Sequence, residues 1–230
     1  SVDIGSITVG NGIKEENAEY TKSSIGIGVY NGEITLNIKD KVEAGLNGTA
    51  LFNQGGKVTV NDFTKLSVGE TEDLKTHSKG SLVHSKGGEV IFKDVKGMNE
   101  YSVDINGHYG FILENGGKIH GDEEFKKKEF SLNVKNNGTG IIFIQTEGNT
   151  KTDRPFSDLG ITNIKVEGSS DPKNTEYTKG LYYKNLGEIE EDLSNINMTL
   201  SGNNTVGLVL NGTYGKVFTK DVVLGEEAQN

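Results

Sequence analysis

The chain of 230 residues has no cysteine and no tryptophan, two prolines, and one arginine, Arg154. Without cysteine there are no disulfides and no thiolate metal sites, so a secreted fold of this size must take its stability from its core. Two prolines and no G-X-Y triplet exclude a collagen-like chain, although 32 residues are glycine. The basic residues are otherwise all lysine, and the net charge is −9. An acidic surface with one arginine excludes nucleic acid as the expected partner, since nucleic-acid binding leans on basic patches, and it disfavours anionic lipid. The one basic run, Lys126-Lys127-Lys128, directly follows Asp122-Glu123-Glu124 and Phe125, a solvated loop of mixed charge. No stretch approaches the roughly 18 apolar residues of a membrane helix. The opening S-V-D-I-G-S has no signal-peptide pattern, which suits a mature secreted chain or an internal fragment of a longer one.

What is present is a repeat. A glycine turn and a short strand recur about every thirty residues, most clearly in Gly48–Val58, Gly80–Val90 and Tyr109–Ile119. Looser copies begin at Gly26, Gly138, Gly180 and Gly207. The turn glycines Gly32, Gly56, Gly88, Gly117, Gly148, Gly187 and Gly215 are spaced by 24, 32, 29, 31, 39 and 28 residues. A period of this size marks a solenoid or array of stacked units. The repeat runs nearly end to end, so residues 1–230 read as a single elongated domain.

Within the units the apolar residues alternate. Ile34, Leu36 and Ile38 do so, as do Tyr101, Val103 and Ile105, and Phe130, Leu132 and Val134. Period two places these side chains on one face of a strand. Val206, Leu208 and Leu210 alternate too, and Leu208 is expected inside. No helical period longer than about two turns is visible. The predicted fold class is all-β, a parallel β-helix of about seven coils. At ~4.8 Å per stacked strand, seven coils make a rod of roughly 34 Å. Asn-Gly pairs such as Asn31-Gly32 also favour tight hairpins, so stacked hairpins are the competing architecture. Three segments break the period, near residues 69–79, 146–158 and 167–179, and are expected to project as loops, where function often resides.

The cysteine-free, Gly- and Asn-rich strand units of the type G-T-x-φ-φ and G-G-x-φ, where φ is apolar, resemble the passenger domains of type V secreted autotransporters. The Lys-heavy, Arg-poor, Asn-rich composition is similar to that of the large fusobacterial adhesins. The likeness spans about Ser24 to Leu224. It implies a right-handed β-helix, exported through an outer-membrane β-barrel of the parent chain and displayed extracellularly on the bacterial surface. The implied role is adhesion, with a protein or glycan of a host cell or another bacterium as partner. The resemblance brings no catalytic motif with it.

Some β-helices cleave polysaccharides, and a lyase or hydrolase is the alternative; a plain structural spacer is another. Glycoside hydrolysis needs two carboxylates about 5–10 Å apart. Asp40, Asp62 and Asp94 recur at corresponding corners, although Asp also caps turns through side chain–backbone bonds. The histidines His77, His84, His108 and His120 lack zinc-site spacing, so no metal and no cofactor is expected. The ligand-binding candidates are Arg154, Phe156, Tyr177 and Tyr183. They cluster at the two largest period breaks and combine aromatic faces with a cation. Of the adjacent Tyr182 and Tyr183, one must face outward.

Overall fold

The computed structural model describes residues 1–10, 24–69, 79–146, 152–153, 155–171, 173–185, 188–212, 214–219 and 223–224. It is all-β apart from three short 3-10 turns, Phe63–Lys65, Phe125–Lys127 and Ser157–Leu159. Every strand pairing among the described residues is parallel. The stacked-hairpin alternative is therefore not what forms. Asn31 and Gly32 do adopt the two positive φ angles of a tight hairpin turn, 61° and 76°. Yet the strands they join, Ser24–Tyr30 and Glu33–Ile38, lie in different sheets.

Every pairing among the described residues joins strands three places apart in chain order, so successive strands fall in rotation into three positions, one a single sheet and the other two each divided into two sheets. One position is a single seven-stranded sheet: Ser24–Tyr30, Gly48–Gln54, Ser81–Lys86, Tyr109–Glu114, Thr139–Gln145, Thr178–Asn185 and Thr205–Asn211. The position after it is a five-stranded sheet, Val2–Ile4 to Lys118–Gly121, followed by a three-stranded sheet, Thr152–Asp153 to Tyr214–Thr219. The remaining position is a three-stranded sheet, Ile7–Val9 to Leu66–Val68, then a five-stranded sheet, Glu100–Asn106 to Val223–Leu224.

The register explains the core. Ile27, Leu51, Val83, Phe111, Ile141 and Leu181 are aligned across the seven-stranded sheet and almost wholly buried. Val58, Val90 and Ile119 do the same across the first five-stranded sheet, and Phe130, Tyr101 and their neighbours across the second. Leu208 faces this interior beside Leu181 but belongs to the last strand of its sheet, so it is only partly buried.

The corners carry the aromatic load. Asp62 accepts a hydrogen bond from the Thr64 N–H at 3.1 Å, and Asp122 from the Phe125 N–H at 2.8 Å. These caps open 3-10 turns whose Phe63 and Phe125 are fully buried. Phe63 stacks on Phe92 at 4.8 Å and Phe125 on Tyr101 at 4.5 Å, with Phe130 against both. Asparagine links paired strands and their ends: Asn37 donates to Asp3, Asn133 to Asp104 and Asn136 to Asn106, at 2.7–2.9 Å. In this way a stack of like strands satisfies its amide groups from one strand to the next, as in side-chain ladders generally.

Candidate binding face

The outward faces of the sheets differ. Across the first five-stranded sheet Glu33, Lys57, Glu89 and Lys118 stand in register, alternating in sign. Across the second, Ser131, Asn163 and Asn197 do, a polar row that suits solvent. On the seven-stranded sheet the central outward row runs Phe52, His84, Ile112, Ile142, Tyr182, Val209. Parallel sheets ordinarily have both faces covered and then read as continuous apolar runs. These strands do read that way, in Phe111-Ile112-Leu113 and Ile141-Ile142-Phe143. Nevertheless Phe52, His84, Ile112, Tyr182 and Val209 are all half-exposed.

At one end of this row Tyr30 is 60% exposed, its ring 5.7 Å from that of Phe52, which meets His84 edge-on at 5.1 Å. His84 Nε2 lies 2.8 Å from Glu114, whose other oxygen is 2.8 Å from Lys86 Nζ. Burial holds the His84 pKa below its ordinary value, with Glu114 opposing. Further along, Tyr182 O–H accepts from the Asn211 amide at 3.1 Å.

Residues 173–177 border this face. Lys79 Nζ sits 5.6 Å over the Tyr109 ring, donates to the Asn137 carbonyl, and lies 3.8 Å from Glu176. Its side chain is largely buried, and that burial lowers its pKa. Asn137 and Asn174 exchange amide hydrogen bonds at 3.1 and 2.5 Å, and Asn204 donates to the Asn174 carbonyl at 2.6 Å. The segment is thus held by Lys79, Asn137 and Asn204 from three different connections, and it presents Tyr177, which is 49% exposed. Beneath it His108 is buried and accepts the Gly80 N–H on Nδ1 at 2.9 Å, which places the imidazole proton on Nε2; burial lowers its pKa.

Of the three described residues among the four chosen from sequence, only Tyr177 stands on the surface. Arg154 lies outside the described residues. Phe156 and Tyr183 are fully buried, their ring centroids 4.4 Å apart. The Phe156 N–H and the Tyr183 O–H both donate to the buried Glu191 carboxylate, at 2.7 and 3.1 Å. Burial first, then Glu191, pushes the Tyr183 phenol far above its ordinary pKa. These two aromatics pack in the interior and offer no surface to a ligand. The outward tyrosine of the pair is Tyr182. Sequence reasoning also passed over Phe52, Tyr109 and Lys79. Their signal was the apolar or aromatic residue at the outward parity of successive repeat copies, visible once the copies are aligned strand on strand.

The corner carboxylates carry structural hydrogen bonds. Asp62 caps its turn, and Asp94 accepts the Tyr101 O–H at 2.6 Å. Asp122 adds a 3.4 Å ion pair with Lys93 to its cap. His120 pairs with Glu89 at 2.9 Å; His77 lies outside the described residues. Among the described residues no group of three His, Cys, Asp or Glu is placed to hold a metal ion. No family model, curated protein or solved structure matches the chain.

Proposed function

We propose that the chain is a non-enzymatic adhesin segment: about seven coils of a right-handed parallel β-helix from the passenger of a type V autotransporter. In this reading the coils are held at the bacterial surface through an outer-membrane barrel of the parent chain. The three-sheet rotation with parallel pairing supports the coil reading, and the strong preference of parallel crossovers for the right hand supports its handedness. The observation that carries the binding role is the apolar row from Phe52 to Val209 on the seven-stranded sheet, where Phe52, His84, Ile112, Tyr182 and Val209 are half-buried and Ile142 is buried. Exposed apolar patches rimmed by polar groups mark interaction sites. A spacer needs no such row. A glycan-cleaving enzyme needs a free pair of carboxylates, and the corner carboxylates Asp62 and Asp94 are engaged in a cap and a tyrosine bond.

The test is binding of the isolated chain to a panel of host and bacterial cells, with release of reducing sugar from their surface polysaccharides assayed in parallel. Saturable binding without product is the expected result. Product release would replace this reading with the enzyme, and silence in both assays would leave the spacer.

A further inference from the structure

We infer that the outward face of the seven-stranded sheet binds an acidic carbohydrate chain, a glycan carrying carboxylates or sulfates; this rests on the adhesin reading and names its ligand.

The first observation is charge. The chain is acidic overall, with net charge −9. The strands of the seven-stranded sheet nonetheless carry Lys86, Lys179 and Lys184 against the single Glu114. The second five-stranded sheet has the opposite balance, with Glu100, Asp104, Glu129 and Glu167 against Lys135 and Lys165. Lys79 at the border, seated on Tyr109, is matched by Glu176 at 3.8 Å, and Lys86 by Glu114 at 2.8 Å, so the excess is carried by Lys179 and Lys184. Lys184 is exposed and stands two positions beyond Tyr182 on the same strand, hence on the same face. The cationic excess therefore coincides with the aromatic row, and it complements an anionic ligand that also offers apolar surface.

The second observation is shape. Peptides dock on a sheet chiefly by adding a strand to a free edge, or as a helix in an apolar groove. The strands from Gly48–Gln54 to Thr178–Asn185 are hydrogen-bonded on both sides, so the middle of this face has no free edge. An open groove lined by Gly56, Gly88, Lys57 and Lys118 lies at the glycine turns, away from the central row. A sugar chain asks for neither an edge nor a groove. Its apolar ring faces rest on Phe52, Tyr109 and Tyr182, its hydroxyls meet the Thr49–Ser81 hydroxyl pair and the Asn211 amide, and its acidic groups meet the lysines.

The probes are a sulfated heparin oligosaccharide, a hyaluronan oligosaccharide, a neutral dextran of like length, and polyglutamate. Both acidic sugars are expected to bind, and to weaken as salt rises because the charges are exposed. Lys179→Glu with Lys184→Glu, and separately Tyr182→Ala, should each weaken binding by about tenfold or more, which is some 1.4 kcal/mol per factor of ten. Lys165→Glu on the second five-stranded sheet should leave it unchanged. Thermal melts show that each variant is folded. Equal binding of dextran or polyglutamate, no binding of either acidic sugar, or indifference to these face substitutions would overturn the inference. If cells are bound equally well after their acidic glycans are removed enzymatically, the adhesin reading stands and the ligand assignment falls.

Discussion

At the scale of single residues, paired glycines divide two demands between them. At Gly116-Gly117 the first residue has φ 82° and open space around its Cβ position, so its requirement is conformational. A Cβ on Gly117 would stand 1.9 Å from the Ser85 carbonyl oxygen of the neighbouring strand, so its requirement is room. The sequence made both glycines legible as a turn, but not which of them touches the next repeat, because that contact arises only when copies stack. Gly117→Ala is expected to destabilise by about 3 kcal/mol or more, since backbone must shift to admit the methyl. Gly32→Ala, with φ 76° and nothing within 4 Å of the added carbon, should cost only about 1 kcal/mol. Denaturant unfolding of the two variants checks the order. A Gly117→Ala variant no less stable than Gly32→Ala would contradict the close approach.

At the scale of elements, strands and corners were legible to different degrees. Alternation located the strands of the two five-stranded sheets, because those strands have one wet face. It described the seven-stranded sheet less well, because apolar residues occupy both parities there, and so it could not say which of Tyr182 and Tyr183 faces out. The corners were legible as turns, but the residues after Asp62 and Asp122 form 3-10 turns that send Phe63 and Phe125 inward, a packing that local pattern does not encode. Tyr101 closes this aromatic corner: stacked on Phe125, it donates to Asp94 and accepts the Val95 N–H at 2.7 Å. Burial first, then Asp94, raises its phenol from 10.0 to about 12. A raised phenol pKa means that the unfolded chain loses this proton first, so the contribution is intact below pH 10 and is lost as pH rises toward 12. The buried Tyr183 acts in the same direction. Stability measured by denaturant midpoint should therefore fall across that window. Replacing Tyr101 and Tyr183 by Phe should flatten the fall, and an undiminished fall in the double variant would mean that other groups cause it.

At the scale of the whole molecule, a rotation through three sheet positions gives this chain three sides of different chemistry from one repeated unit. The period announced an all-β fold whose repeat copies pair strand on strand in parallel. It could not announce that a half-buried apolar row would gather on one sheet face, since that depends on strand register. It also pointed to the period breaks for binding residues, whereas Phe156 and Tyr183 turn inward onto Glu191, leaving Tyr177 at the border of the sheet face. The natural absence of cysteine makes the location of binding directly testable. Single cysteines would be placed at Tyr182 on the seven-stranded sheet and at Lys165 on the second five-stranded sheet, each coupled to a bulky maleimide, and cell attachment measured. Loss of attachment with the label at 182 and retention with the label at 165 is the result expected of a binding face on the seven-stranded sheet. Full attachment with the label at 182, or loss only with the label at 165, would contradict it.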